Sequence, residues 1–169
     1  MTKNQTLSRD NETESLRDRF SNALIENGSK PTHFVTVAYC QSIKINDTYV
    51  KADDIIYDQV HQSFMRSLSK RLCSSRQWKR SNRVIRSFGA IEGGKNSQRF
   101  HAHLVVCKPE HVDEAKFLKS IEKTAENNLW ILNGKFAVKV QTLDERTDAF
   151  NATNYSMKYS DSLDRLLST

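Results

Sequence analysis

Strand-like and helix-like segments alternate along this chain in an order that leaves few folds open. Runs rich in β-branched and aromatic residues predict strands, and apolar residues recurring every three or four positions predict helices. In order, the patterns predict a strand at 33–40, a helix from Asp53 or Asp54 to Leu72, strands at 83–92 and 99–108, a helix from Pro109 to about Leu129, a strand at 135–143 and a last helix from about Thr147 that carries AFNATNYSMKYSDSLDRLL. We therefore expect an α+β fold of the ferredoxin-like or RRM-like split βαββαβ type, an antiparallel sheet with two helices on one face. In that topology the strands at 33–40 and 99–108 lie side by side.

Length and composition are those of one intracellular domain. The chain has 169 residues, of which 37% are hydrophobic and 27% charged. No apolar run approaches the ~18 residues of a membrane span, and the N-terminus lacks the apolar core of a signal peptide. We expect a polar, partly helical N-terminal segment at 1–30 and a single domain at 31–169, in the cytoplasm and without a membrane partner. The three scattered cysteines, with no CxxC pair, predict neither a disulfide framework nor a zinc ribbon.

Positive charge is concentrated in one part of the chain. The formal net charge is +6, and no acidic residue occurs from Gln59 to Ile91. A solvated basic helix face is one interpretation, but such faces usually mix signs, so the missing acids favour a phosphate-facing surface. The candidate nucleic-acid contacts in this window are Arg66, Lys70, Arg76, Lys79, Arg80, Arg83 and Arg86.

Two histidines interrupt the apolar run FHAHLVV. Alternation along a strand places His101, His103 and Val105 on one face, the histidines about 7 Å apart, and Phe100, Ala102, Leu104 and Val106 on the other. Glu92 ends the preceding strand before a Gly-Gly turn, so a hairpin would bring its carboxylate to ~5 Å from the first histidine. Two imidazoles and a carboxylate suit Mg²⁺ or Mn²⁺, and the absence of thiolates argues against structural zinc. The alternatives are a chance histidine pair and a solvated glutamate at a strand end.

The segment NYSMKYSDS holds a second group of candidates. Tyr155, Lys158 and Tyr159 lie near one face if the segment is helical. A tyrosine hydroxyl is a poor nucleophile at its usual pKa of about 10, and a nearby cation or metal reduces that barrier. The alternative is that both tyrosines are amphipathic helix residues partly buried in the core.

Taken together, these motifs resemble the HUH endonucleases, and among them the rolling-circle replication initiators (Rep). That family combines a hydrophobic strand motif, a His-hydrophobic-His motif with an upstream acidic ligand, and Tyr-x-x-Lys on a helix. Here HFVTVAY is similar to the first motif. His101 and His103, with Glu92 nine positions before His101, are similar to the second, and Tyr155 with Lys158 is similar to the third. The tyrosine follows the histidines, as in Rep proteins and HUH transposases rather than relaxases.

The resemblance implies a nicking and joining enzyme for single-stranded or hairpin origin DNA. Glu92, His101 and His103 would bind Mg²⁺ or Mn²⁺, and Tyr155 would form a 5′-phosphotyrosine, with Lys158 neutralising charge and Tyr159 assisting. Arg99 joins the DNA-binding candidates. Since the chain carries no Walker A motif, we expect either a stand-alone nicking enzyme that depends on a host helicase and polymerase, as a plasmid or phage initiator would, or an isolated domain.

Three other functions fit parts of the same pattern. An HUH transposase-like strand transferase would use the same motifs, although its final motif resembles Tyr-x-x-x-Gln and position 159 is Tyr. A metal-dependent hydrolytic nuclease would use the histidines without a tyrosyl intermediate. A non-catalytic RRM-like module would stack bases on exposed aromatics of the central strands, where this chain has histidines.

Overall fold

The protein has an α+β architecture. The computed structural model describes residues 31–74, 76, 85–93, 99–143 and, as backbone, 166–168. Its elements are β1 (His33–Ala38), β2 (Ser42–Ile45), β3 (Thr48–Lys51), α1 (Asp54–Leu72), β4 (Ser87–Glu92), β5 (His101–Val106), α2 (Glu114–Glu126), β6 (Val138–Thr142) and β7 (Leu166–Ser168). The predicted N-terminal segment at 1–30 lies outside the described residues. Within the described ranges, no helix combines the length and the apolar character needed to cross a membrane.

An antiparallel sheet in the order β6-β1-β5-β4-β7 forms the centre of the fold. β1 and β5 are neighbours, as the sequence predicted, with Thr36 opposite His103 and Ala38 opposite His101. β4 and β5 form the predicted hairpin, in which Glu92 is paired with His101. The strand order therefore brings β1 and β4 to the two sides of the histidine strand.

The two helices and one face of the sheet form the core. Val35 and Val37 of β1 are buried beside the apolar residues of β5. From the helices, Phe64 and Leu68 of α1 and Phe117 of α2 pack into the same cluster. Because side chains alternate along a strand, the histidines of β5 point to the opposite face. The core thus determines which side of the sheet carries the polar groups.

Helix starts follow the capping rules. Of the two predicted starts of α1, Asp53 is the N-cap, because its carboxylate accepts a hydrogen bond from the backbone N–H of Ile56 at 2.8 Å. The second helix begins at Glu114 rather than at Pro109, because Asp113 is its N-cap and accepts from Lys116 at 2.8 Å. A sequence pattern indicates where a helix lies more reliably than where it begins.

Several strand predictions need correction. Residues 42–51, to which the sequence pattern assigned no strand, form the β2–β3 hairpin, whose turn residues Asn46 and Asp47 have φ values of 47° and 65°. Asn and Asp tolerate this left-handed region, which two-residue hairpin turns require. The second predicted strand begins at Ser87 rather than at residue 83, and the fourth at Val138 rather than at residue 135.

The predicted last helix was wrong at its C-terminal end. It was expected to include residues 166 and 167, but Leu166–Ser168 is a strand that pairs with β4 at the edge of the sheet. Backbone pairing with an unfilled sheet edge overrides a local helical pattern there. The preceding part of that predicted helix lies outside the described residues.

Candidate metal centre

Glu92, His101 and His103 form one cluster on the sheet face opposite the helices. The Nε2 atom of His101 lies 3.5 Å from Oε2 of Glu92, and that of His103 lies 3.6 Å from the same oxygen. One ligand atom from each residue falls within 4.8 Å of the others. The two rings meet edge to face, with centroids 4.8 Å apart. The chain therefore holds a Glu/His/His group that is positioned to bind a metal ion.

The other ring nitrogen of each histidine is also held. Nδ1 of His101 lies 2.9 Å from the backbone carbonyl of Arg99. Nδ1 of His103 lies 3.0 Å from the hydroxyl of Thr36, and the ring of Phe34 stacks on the His103 ring at 5.3 Å. Because each Nδ1 contacts an oxygen of a neighbouring residue, both Nε2 atoms point toward Glu92. Ligand histidines are commonly oriented in this way.

The cluster is largely shielded from water. The Glu92 side chain is 8% exposed and the His103 side chain is 12% exposed. The alternative interpretation of Glu92, a solvated glutamate at a strand end, is therefore wrong. Burial raises the pKa of Glu92, although His101 opposes this shift. Burial also lowers the pKa of His103 to about 4, and nearby His101 adds to that effect. A neutral imidazole is the form that binds a metal ion.

The residues present fit a divalent cation. Oε1 of Glu92 is buried and has no hydrogen-bond partner among the described residues. A buried carboxylate oxygen without a partner is costly, and a cation bound beside it removes that cost. Two neutral nitrogens and one anionic oxygen form a mixed donor set that can hold a divalent metal ion.

The three C-terminal candidates and part of the basic set lie outside the described residues. These are Tyr155, Lys158 and Tyr159, and Lys79, Arg80 and Arg83. Their roles stay predictions from the sequence.

The described basic residues occupy different parts of the fold. Arg99 is exposed and directly precedes β5 at the cluster. Arg86 is exposed at the opposite end of β4, about 20 Å from Glu92 by strand rise. Arg66 and Lys70 lie exposed on α1, the layer behind the sheet. Arg76 is exposed beyond the end of that helix.

Thr36 is a contact that the sequence interpretation missed. It lies at an outward position of the first strand, and the split topology already placed that strand beside the histidines. The alternation of HFVTVA therefore contained a usable signal. No protein-family model, curated protein or solved structure matches the chain.

Proposed function

We propose that this protein is a metal-dependent endonuclease of the HUH type, which nicks and rejoins single-stranded DNA and so initiates rolling-circle replication. The observation that carries the proposal is the convergence of Glu92, His101 and His103. Strand alternation and the predicted hairpin indicated these residues, and they are similar to the HUH ligand set. Their meeting at one point supports that interpretation of the motif.

The strand arrangement gives further support. The neighbours β6-β1-β5-β4 match the order expected for a ferredoxin-like split βαββαβ sheet. With the helices packed on one face, the histidines lie on the other, and the scissile phosphate would approach from that side. The edge strand β7 is an addition to this four-stranded arrangement.

The proposed chemistry divides between the cluster and the C-terminal motif. Glu92, His101 and His103 would hold Mg²⁺ or Mn²⁺, which when bound supplies a Lewis acid at the scissile phosphate. The Tyr155 hydroxyl loses its proton and attacks phosphorus, so that a Tyr–O–P bond forms. The P–O3′ bond breaks and the leaving oxygen takes up a proton, leaving a 5′-phosphotyrosine and a free 3′-OH. Lys158 would neutralise charge that develops on the phosphate.

The partners follow from that reaction. The substrate would be a single-stranded or hairpin-exposed origin, and the free 3′-OH would prime a host polymerase, with a host helicase opening the duplex. Arg99 is the described basic residue next to the cluster in sequence, so we assign it to the DNA near the scissile phosphate. Arg66 and Lys70, on the helix layer, would contact DNA that runs beyond the sheet.

The test is to trap the covalent product. Labelled single-stranded DNA is incubated with the protein and Mn²⁺ or Mg²⁺, and adducts are sought on a denaturing gel. Tyr155→Phe, Tyr159→Phe, Glu92→Gln and an EDTA control are run in parallel. We expect a metal-dependent adduct that Tyr155→Phe and Glu92→Gln abolish and Tyr159→Phe retains.

The other outcomes identify the competing functions. An adduct lost only with Tyr159→Phe keeps the mechanism and moves the nucleophile. Metal-dependent cleavage without an adduct indicates a hydrolytic nuclease that uses the same cluster. Tight binding of DNA pools containing hairpin and unstructured sequences, without cleavage, indicates an RRM-like binding module and contradicts the proposal.

A further inference from the structure

Thr36 contacts the metal cluster from the neighbouring strand. It lies on β1 directly opposite His103 in the antiparallel register. Its hydroxyl is 3.0 Å from Nδ1 of that histidine, although the two residues are 67 positions apart in sequence. This contact joins a central strand of the sheet to a candidate metal ligand.

We propose that Thr36 is a positioning residue for the metal centre. Its hydroxyl accepts a hydrogen bond from Nδ1–H of His103, so that the Nε2 lone pair faces the cation. The inference rests on the proposed metal site and concerns a residue outside the resemblance to the HUH ligand set. Metal binding through Nε2 depends on which ring nitrogen of each imidazole carries the hydrogen.

A neutral imidazole has one N–H and one free lone pair. Nε2 binds a cation only through its lone pair, so the hydrogen of each ligand histidine must lie on Nδ1. For His101 this is settled, because the carbonyl of Arg99 can only accept a hydrogen bond. For His103 the corresponding acceptor is the Thr36 hydroxyl.

A hydroxyl differs from a carbonyl because it can also donate. When the hydrogen of His103 is on Nε2, facing Glu92 at 3.6 Å, Thr36 can donate to Nδ1. When Nε2 holds a cation, the same hydroxyl rotates and accepts. Thr36 therefore pairs with both tautomers, and cation binding selects one of them.

Burial makes this partner hard to replace. The His103 side chain is 12% exposed, and Phe34 stacks on its ring with an interplanar angle of 22°. Removing the hydroxyl would leave Nδ1 without this partner when the cation is bound. Loss of such an outer contact typically weakens metal binding by about 10- to 100-fold.

The experiment compares Thr36→Val with Thr36→Ser. Valine keeps the β-branched shape that a central strand favours, so the fold is preserved, while serine keeps the hydroxyl. Thr48→Val, on exposed β3, makes the same chemical change away from the cluster. Mn²⁺ affinity is measured by calorimetry without DNA, and imidazole ¹⁵N signals are recorded with Mg²⁺.

We expect Thr36→Val to raise the Kd for Mn²⁺ by about 10- to 100-fold, with Thr36→Ser and Thr48→Val close to wild type. In the wild type with Mg²⁺, the ¹⁵N spectrum should show His103 protonated at Nδ1, as for His101. Wild-type Mn²⁺ affinity retained in Thr36→Val would overturn the inference and leave the metal centre intact. A wild type that binds Mn²⁺ no better than Glu92→Gln would overturn the metal centre, and the inference with it.

Discussion

His61 is expected to make the fold sensitive to acid. The side chain lies on α1 and is fully buried, with Nε2 3.4 Å from the hydroxyl of Ser87. Its Nδ1 has no hydrogen-bond partner among the described residues. Burial lowers the pKa of His61 from 6.5 to about 4, because the charged ring cannot be hydrated inside the core.

The size and sign of the effect follow from proton linkage. Above pH 6.5 the ring is neutral in both states, so the contribution of His61 to stability is fully present. As the pH falls below 6.5, the unfolded chain binds a proton that the folded protein excludes until about pH 4. The free energy of unfolding should therefore fall by about 2 kcal/mol by pH 5, approaching about 3.4 kcal/mol at lower pH.

Urea unfolding between pH 7.5 and pH 5, followed by circular dichroism, measures this loss for the wild type and for His61→Leu. The variant removes the titrating ring, so its stability should fall by about 2 kcal/mol less over that range. His111→Gln removes an exposed imidazole and should follow the wild type. Equal pH dependence in the wild type and His61→Leu would refute the reasoning, whatever their stabilities at pH 7.5.

Three other predictions concern the sheet, the cluster and a helix cap. In Gly89→Ala, the new Cβ would lie 1.9 Å from the carbonyl oxygen of His103. Urea unfolding should show a loss of about 1–3 kcal/mol or more, and Mn²⁺ binding should weaken because β4 and β5 are forced apart; unchanged values would mean that β4 and β5 do not approach this closely at Gly89. Mn²⁺ at 100 times its Kd should stabilise the wild type by about 2.7 kcal/mol but not Glu92→Gln, and equal stabilisation would exclude Glu92 as a ligand. Asp113→Ala should reduce the free energy of unfolding by about 1 kcal/mol. Asp113→Asn should reduce it by less, since the asparagine side chain can still accept a hydrogen bond from the backbone N–H of Lys116. Equal stability of the two variants would mean that the cap is dispensable.

Much of the fold was predictable because its patterns are strong and local. The long apolar periodicity of α1 and the β4–β5 hairpin were predicted correctly, and the sequence narrowed the start of α1 to Asp53 or Asp54. The β2–β3 hairpin was missed because its strands are short and mostly exposed, which leaves little hydrophobic alternation to detect. The strand β7 could not be inferred locally, since its partner β4 lies far away in the chain.

The candidate ligands were predictable for a different reason. His101 and His103 stand out because polar residues interrupt an apolar alternation, and a short turn limits where Glu92 can lie. Their burial and the partners of their Nδ1 atoms were not predictable. Those features depend on how β1 pairs with β5 and on side-chain rotamers, which no local pattern specifies.

By itself the sequence determined the composition of each face. The period of two along FHAHLVV places both histidines and Val105 on one side of a strand and the other apolar residues on the opposite side, whatever the strand pairs with. Tertiary structure alone decided that Thr36 meets His103 and that both Nε2 atoms converge on Glu92. Alternation is a local property of the backbone, whereas these contacts arise only when distant strands align in one register.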